Sequence, residues 1–201
     1  MLPRQQNLQR ATDLAFEALR SQSAGQMHWL GAEPRGERWR LPVLDDAFEV
    51  DTLAGRVTTA AGSDVGAGWR ILALHYLAVR TRPEPLVPEI TFGDLPMARS
   101  YTEVYHQRAV ARLCATVGRE APRLRLAAAA LGGRPVDAGD IAFDFDAFPR
   151  VSLRLVWHAG DEEFPPSATL LLPANIDSYF CTEDIVVLSE RLVSRLAGRP
   201  F

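Results

Sequence analysis

Apolar residues recur along this chain with two different periods, and each period predicts a different kind of element. Leu8, Ala11, Ala15 and Leu19, with Phe16 beside them, fall on one face at helical spacing and predict a first helix docked on the body. Ser21 to Arg38 interrupts the pattern with Gly, Pro and polar residues around isolated Met27, Trp29 and Leu30, and predicts an irregular connection. From Trp39 the period shortens to two. Phe48 and Val50 alternate with polar neighbours, Leu53-Ala-Gly-Arg marks a turn, and Val57 to Thr59 favours a strand, so this stretch predicts a β-hairpin. The helical period returns in GWRILALHYLAVRT, with Ser63 or Asp64 as N-cap and an end before Pro83. At about 100° per residue, His75 falls between Ile71, Leu72, Ala78 and Val79 and is expected to point inward.

The second half continues the alternation. PEPLVPEITFGDLP predicts a proline-studded crossing with a short strand at Glu89 to Phe92. Ser100 and Glu103 have capping-box spacing ahead of a helix that stops at Gly118, and Pro122 opens another that closes at Gly132. In DIAFDFDAFPRVSLRLVW, Ile141, Phe143 and Phe145 alternate with Ala142, Asp144 and Asp146. Val151, Leu153, Leu155 and Trp157 then alternate with polar partners, giving an antiparallel hairpin with one wet face. ATLLLP predicts a buried strand, and Thr182 caps a last helix, with Glu183 and Asp184 in its first turn, ending at Gly198. Hairpins grouped apart from helices predict an α+β fold, antiparallel hairpins forming a sheet packed against several helices. The chain length predicts a single domain over 1–201: an N-terminal helix and connection over 1–38, and a body over 39–201.

The formal charge of -3 and pI near 5.8 supply no general attraction for nucleic acid or for a membrane surface, so neither is an expected partner. The chain contains no lysine, which excludes Schiff-base chemistry, a phosphate-loop lysine and a lysine general base. Cys114 and Cys181 stand far apart, outside any metal-binding or disulfide spacing, and are expected as free thiols. The N-terminus lacks the apolar core of a signal peptide, and no run reaches the roughly 18 apolar residues of a membrane span. The expected compartment is the cytoplasm.

Candidate chemistry concentrates after Trp157. His158, Asp161, Glu162 and Glu163 in WHAGDEEFPP are groups that bind divalent metals or transfer protons, and the same residues before Pro-Pro also describe a solvated turn. His75 on an apolar face requires a partner, either a ligand or a backbone carbonyl. His106, beside Tyr105 and Tyr101, is a weaker candidate of the same kind. Asp144 and Asp146 face Arg150 and Arg154 as cross-strand ion pairs. Cys181, just before Thr182, lies where a helix N-terminus lowers a thiol pKa. Nucleophile-elbow, dinucleotide-binding, zincin and phosphate-loop signatures are absent from the sequence.

ILALHYL, GDIAFDFDAFPRVSLRLVWHAGDEEFPP and SYFCTEDIVVLSERL, in this order, resemble a prokaryotic family catalogued as domain of unknown function 3786. Some relatives carry a cysteine-rich iron–sulfur module of a kind seen in corrinoid proteins of one-carbon metabolism. This chain lacks those cysteines, so the resemblance implies that any redox role needs a partner or a bound cofactor, whose identity is left open. The leading expectation is a soluble accessory protein that binds a small molecule or cofactor in a cleft between His75 and Asp161 to Glu163, with Tyr76, Trp157 and Tyr179 as apolar walls. Two alternatives stand beside it: a metal-assisted enzyme using His158, Asp161, Glu162 and Glu163, and a protein-interaction module such as a homodimer.

Overall fold

The computed structural model describes residues 4–96 and 98–201 and builds an α+β fold on two antiparallel sheets. The first sheet is a four-stranded meander of β1 (Glu33–Arg35), β2 (Arg38–Val43), β3 (Asp46–Asp51) and β4 (Arg56–Thr59). The second has the order β5 (Ile90–Thr91), β9 (Ser167–Leu172), β8 (Val151–His158), β7 (Ile141–Phe148), β6 (Arg134–Pro135). The helices are α1 (Arg4–Arg20), α2 (Ala24–Trp29), α3 (Ala67–Leu77), α4 (Thr102–Tyr105), α5 (Ala111–Ala115), α6 (Ala121–Ala130) and α7 (Thr182–Leu196).

The centre of the molecule follows from composition. α3 buries Trp69, Ile71, Leu72, Ala73, Leu74, Tyr76 and Leu77, and a helix apolar on nearly every side can only be an interior one. α1 lays Ala15, Phe16 and Leu19 on the core, while α7 contributes Ile185, Leu188, Leu192 and Leu196 from one amphipathic stripe. One cluster of buried residues runs without interruption through both sheets. The sheets meet where the β2–β3 tip reaches across: the Leu44 N–H donates to the Asp146 carbonyl at 3.1 Å, and Arg195 holds Asp45 at 3.0 Å.

Several local expectations need correction. The connection over 21–38 is ordered as α2 and β1, because Ser23 caps α2 through the Gln26 N–H and β1 pairs with β2 from Glu33↔Arg40 to Arg35↔Arg38. Neither Ser63 nor Asp64 caps α3: its N-cap is Gly66, and Asp64 instead forms a bridge to Thr58. Ser100 and Glu103 form no capping box, since Tyr101 is the N-cap and Glu103 accepts from Gln107. The box occurs earlier, at Thr91 and Asp94. The single helix expected up to Gly118 is α4 and α5 joined by a π turn over His106–Val110. Among the described residues no helix is long and apolar enough to cross a membrane.

Candidate functional site

Tyr76 is where the core reaches a surface hollow. Its ring is fully buried and stacks on Phe148 with centroids 4.7 Å apart and on Tyr179 at 6.0 Å. The hydroxyl donates to the Leu30 carbonyl at 2.7 Å and accepts from the Arg150 N–H at 3.1 Å. Burial pushes this phenol well above its ordinary range, so it stays a neutral hydrogen-bonding bridge. That bridge ties the end of α2 to Pro149–Arg150, the two-residue tip between Phe148 and Val151 of β7 and β8. Gly31, at φ +83°, lets α2 end flush against Pro149, whose ring would collide with any Cβ there.

Arg150 is held by the neighbours that this contact brings together. Its Nε donates to the Trp29 carbonyl at 2.9 Å, and its guanidinium lies over the Trp29 indole, 4.8 Å from the centroid. Neither Nη atom has a hydrogen-bond partner among the described residues. Arg82 flanks the same indole at 5.9 Å while bonding Gln26 and the Gly25 carbonyl. Trp29, Glu84, Pro149, Arg150, Asn175 and Tyr179 line the resulting cavity of about 360 Å³. Asn175 donates to the Glu84 carbonyl at 2.6 Å and so fixes the proline-rich crossing as a wall.

The residues singled out in the sequence are distributed over several places. Tyr179 lines this cavity and Tyr76 supports it from beneath. His75 is half-buried rather than turned into the core. Its Nδ1 lies 2.8 Å from the Asp184 carboxylate on α7, which takes the place of the expected backbone carbonyl. Asp161, Glu162 and Glu163 border a separate hollow with Trp157 and Arg119, and His75 is not among its lining residues. Trp157 itself is 2 % exposed, and its indole N–H donates to the Gly118 carbonyl at 2.8 Å.

The acidic loop folds on itself. One Asp161 carboxylate oxygen accepts from the N–H groups of Phe164 and Glu163, both at 2.8 Å, and these bonds hold the carboxyl below the usual range. His158 faces Asp140 at 3.9 Å instead of the trio. Among the described residues no three His, Cys, Asp or Glu side chains form a group able to hold a metal ion, so the reading built on His158, Asp161, Glu162 and Glu163 finds no ligand set.

Cross-strand pairing also differs from expectation at one residue. Arg154 does pair with Asp144 at 2.7 Å, and with Glu89 on β5's flank. Asp146 pairs with Arg134 from β6, because Arg150 sits in the turn and has no cross-strand position. Counting the strand register from Phe148 and Val151 would have exposed this. Nothing local pointed to Trp29, which reads as an isolated apolar residue. The thiols are free, and both are raised, not lowered: burial acts on Cys114, and burial with the Asp184 carboxylate acts on Cys181. Cys181, not Thr182, is the N-cap of α7.

No curated protein and no solved structure matches this chain. A family model does match, over residues 26–195, and this span includes Trp29, Glu84, Arg150 and Tyr179 around the cavity as well as the acidic loop. The chain therefore belongs to the family described as domain of unknown function, DUF3786.

Proposed function

We propose that this chain is a small-molecule-binding accessory protein, and that its ligand is a flat molecule bearing a carboxylate, seated in the hollow of Trp29, Arg150 and Tyr179. The observation that carries the proposal is the Arg150 guanidinium: fixed through Nε and by stacking, it leaves its terminal nitrogens unpartnered at the cavity wall. A preorganised planar fork of this kind matches a carboxylate in two parallel hydrogen bonds and loses little freedom on binding. Trp29, Pro149 and Tyr179 supply apolar surface for the flat part of the ligand, and Glu84, which also lines the hollow, would accept from a donor on it. The neighbouring Asp146 is already engaged with Arg134, so it does not neutralise Arg150.

Titration with benzoate and indole-3-carboxylate, followed by tryptophan fluorescence and thermal shift, tests this reading. The expected result is saturable stabilisation that disappears in Arg150→Ala and Trp29→Ala and is not restored by Arg150→Lys, whose point charge lacks the planar fork. Stabilisation that persists in Arg150→Ala, or no response to either compound at millimolar concentration, would remove the proposal.

A further inference from the structure

The opposite edge of the five-stranded sheet carries a second opening. β5 covers only the end of β9, with Ile90 opposite Leu172 and Thr91 opposite Leu171. The chain then turns away at Phe92–Asp94, a turn held by the Asp94 carboxylate accepting from the Thr91 N–H at 2.8 Å and its hydroxyl at 2.7 Å. Residues along an antiparallel strand alternate in the side to which they direct both N–H and C=O. Pro173 has no N–H, so Leu172 carries the pairing with Ile90, and the residues facing outward from β8 are Leu172, Leu170 and Ala168. Ala168 lies past the end of β5. Among the described residues nothing outside β8 hydrogen-bonds to its backbone.

This open edge is not bare solvent surface. Together with the π turn of His106–Val110 it encloses a mostly apolar groove of about 530 Å³, with Phe92, Tyr105, Val110, Pro166 and Leu170 among its walls. Phe92 and Tyr105 stack face to face at 4.1 Å and form a rigid floor. A π turn widens a helix locally and recurs at functional sites, and here it stands opposite the unpaired edge. Pro165 and Pro166 are shared with the neighbouring hollow that holds Asp161, Glu162 and Glu163, where Arg119 is the one cation lining the wall among the described residues.

An apolar groove beside an unpaired N–H and C=O fits an extended polypeptide, which supplies a backbone acceptor and donor at strand spacing along with a side chain for the groove. A guest antiparallel to β9, as every strand in this sheet is to its neighbour, pairs at Ala168, since Phe92 follows Thr91 opposite Leu170, and then reaches Pro166 and the acidic loop with its C-terminal flank. We infer that this edge docks a partner's extended segment, in which an apolar strand residue is followed by arginines or lysines. The acidic loop is then the charge-reading end of a strand-addition site, separate from the cavity at Arg150.

The test uses a fluorescein-labelled, end-blocked peptide of alternating threonine and valine followed by three arginines, read by fluorescence anisotropy and by hydrogen exchange at Ala168. Binding is expected with slowed exchange of the Ala168 amide. Moving the arginines to the N-terminal end, or N-methylating the central valines, should each weaken it about tenfold. In the protein, E162Q/E163Q, which leaves the Asp161 turn bonds in place, should weaken binding in the same direction; its melting temperature reports whether it folds. The inference is overturned if the N-methylated peptide binds as well, if a peptide of arginines alone binds equally, if no peptide binds at millimolar concentration, or if the edge is instead taken by a second copy of the chain that the peptide cannot displace.

Discussion

At the scale of single residues, the candidate site depends on polar atoms made rigid by burial. Tyr76 is the clearest case, since its hydroxyl satisfies one carbonyl and one amide from two segments that also meet through Arg150 on Trp29. Tyr76→Phe keeps the stacking and removes both hydrogen bonds, leaving the Leu30 carbonyl and Arg150 N–H without that partner. A loss of about 1–3 kcal/mol is expected, measured by urea denaturation, together with weaker binding of the test carboxylates because the Arg150 turn is released. A variant as stable as the parent would mean that water replaces the phenol in the core. His75 illustrates the same rule with a different outcome: an imidazole on an apolar face did need a partner, and Asp184, 109 positions away, supplies it.

At the scale of elements, α7 is fastened to the α4–α5 segment through a cluster around Glu190. Arg108 donates to it at 2.7 Å, Arg191 at 2.7 Å and Arg112 at 3.4 Å, while Arg108 also reaches Glu183. Burial pushes the Glu190 carboxyl up, but the hydrogen bonds and charges of Arg108 and Arg191 outweigh it and hold the pKa below its ordinary 4.5. A carboxyl depressed in the folded state contributes stability that is present above its unfolded pKa and lost as pH falls through the folded one. Stability of the parent should therefore decline below about pH 4.5, and Glu190→Gln should show a shallower acid limb with a loss of about 1 kcal/mol at neutral pH. Equal acid limbs in the two proteins would mean that the cluster is screened by solvent. The arginines are about one-third exposed, which is why the expected magnitude is small.

At the scale of the whole molecule, the two sheets share one uninterrupted core, and α3 is buried between its neighbours. The β2–β3 tip adds hydrogen bonds across the junction, at Leu44 to Asp146 and at Asp45 to Arg195. Phe201 closes the same region by packing edge-on against Phe48 at 5.0 Å and Trp69 at 5.3 Å. A core of this continuity predicts one cooperative transition, so unfolding followed by far-ultraviolet dichroism and by tryptophan fluorescence should give coincident midpoints. Separate midpoints would show that the meander and the larger sheet hold together independently.

Periodicity alone determined the long elements, because a helix or hairpin whose apolar residues recur over many positions has one face that must be covered whatever covers it. The β7–β8 hairpin, α3, α6 with Pro122 in its first turn, and α7 are all legible in this way, and the absence of lysine by itself removes whole classes of chemistry. The short elements were not legible. α2 and β1 span too few residues for a period, and they are stabilised by tertiary partners such as β2 and the Tyr76 bridge. The site belongs to the same category: Trp29, Glu84, Arg150 and Tyr179 come from separate connections and a turn, and only folding brings them to one hollow. Sequence spacing reports which residues share an element's face, whereas convergence of loops is set by how the covered faces pack, which is why the acidic loop and His75 drew attention while Arg150 did not.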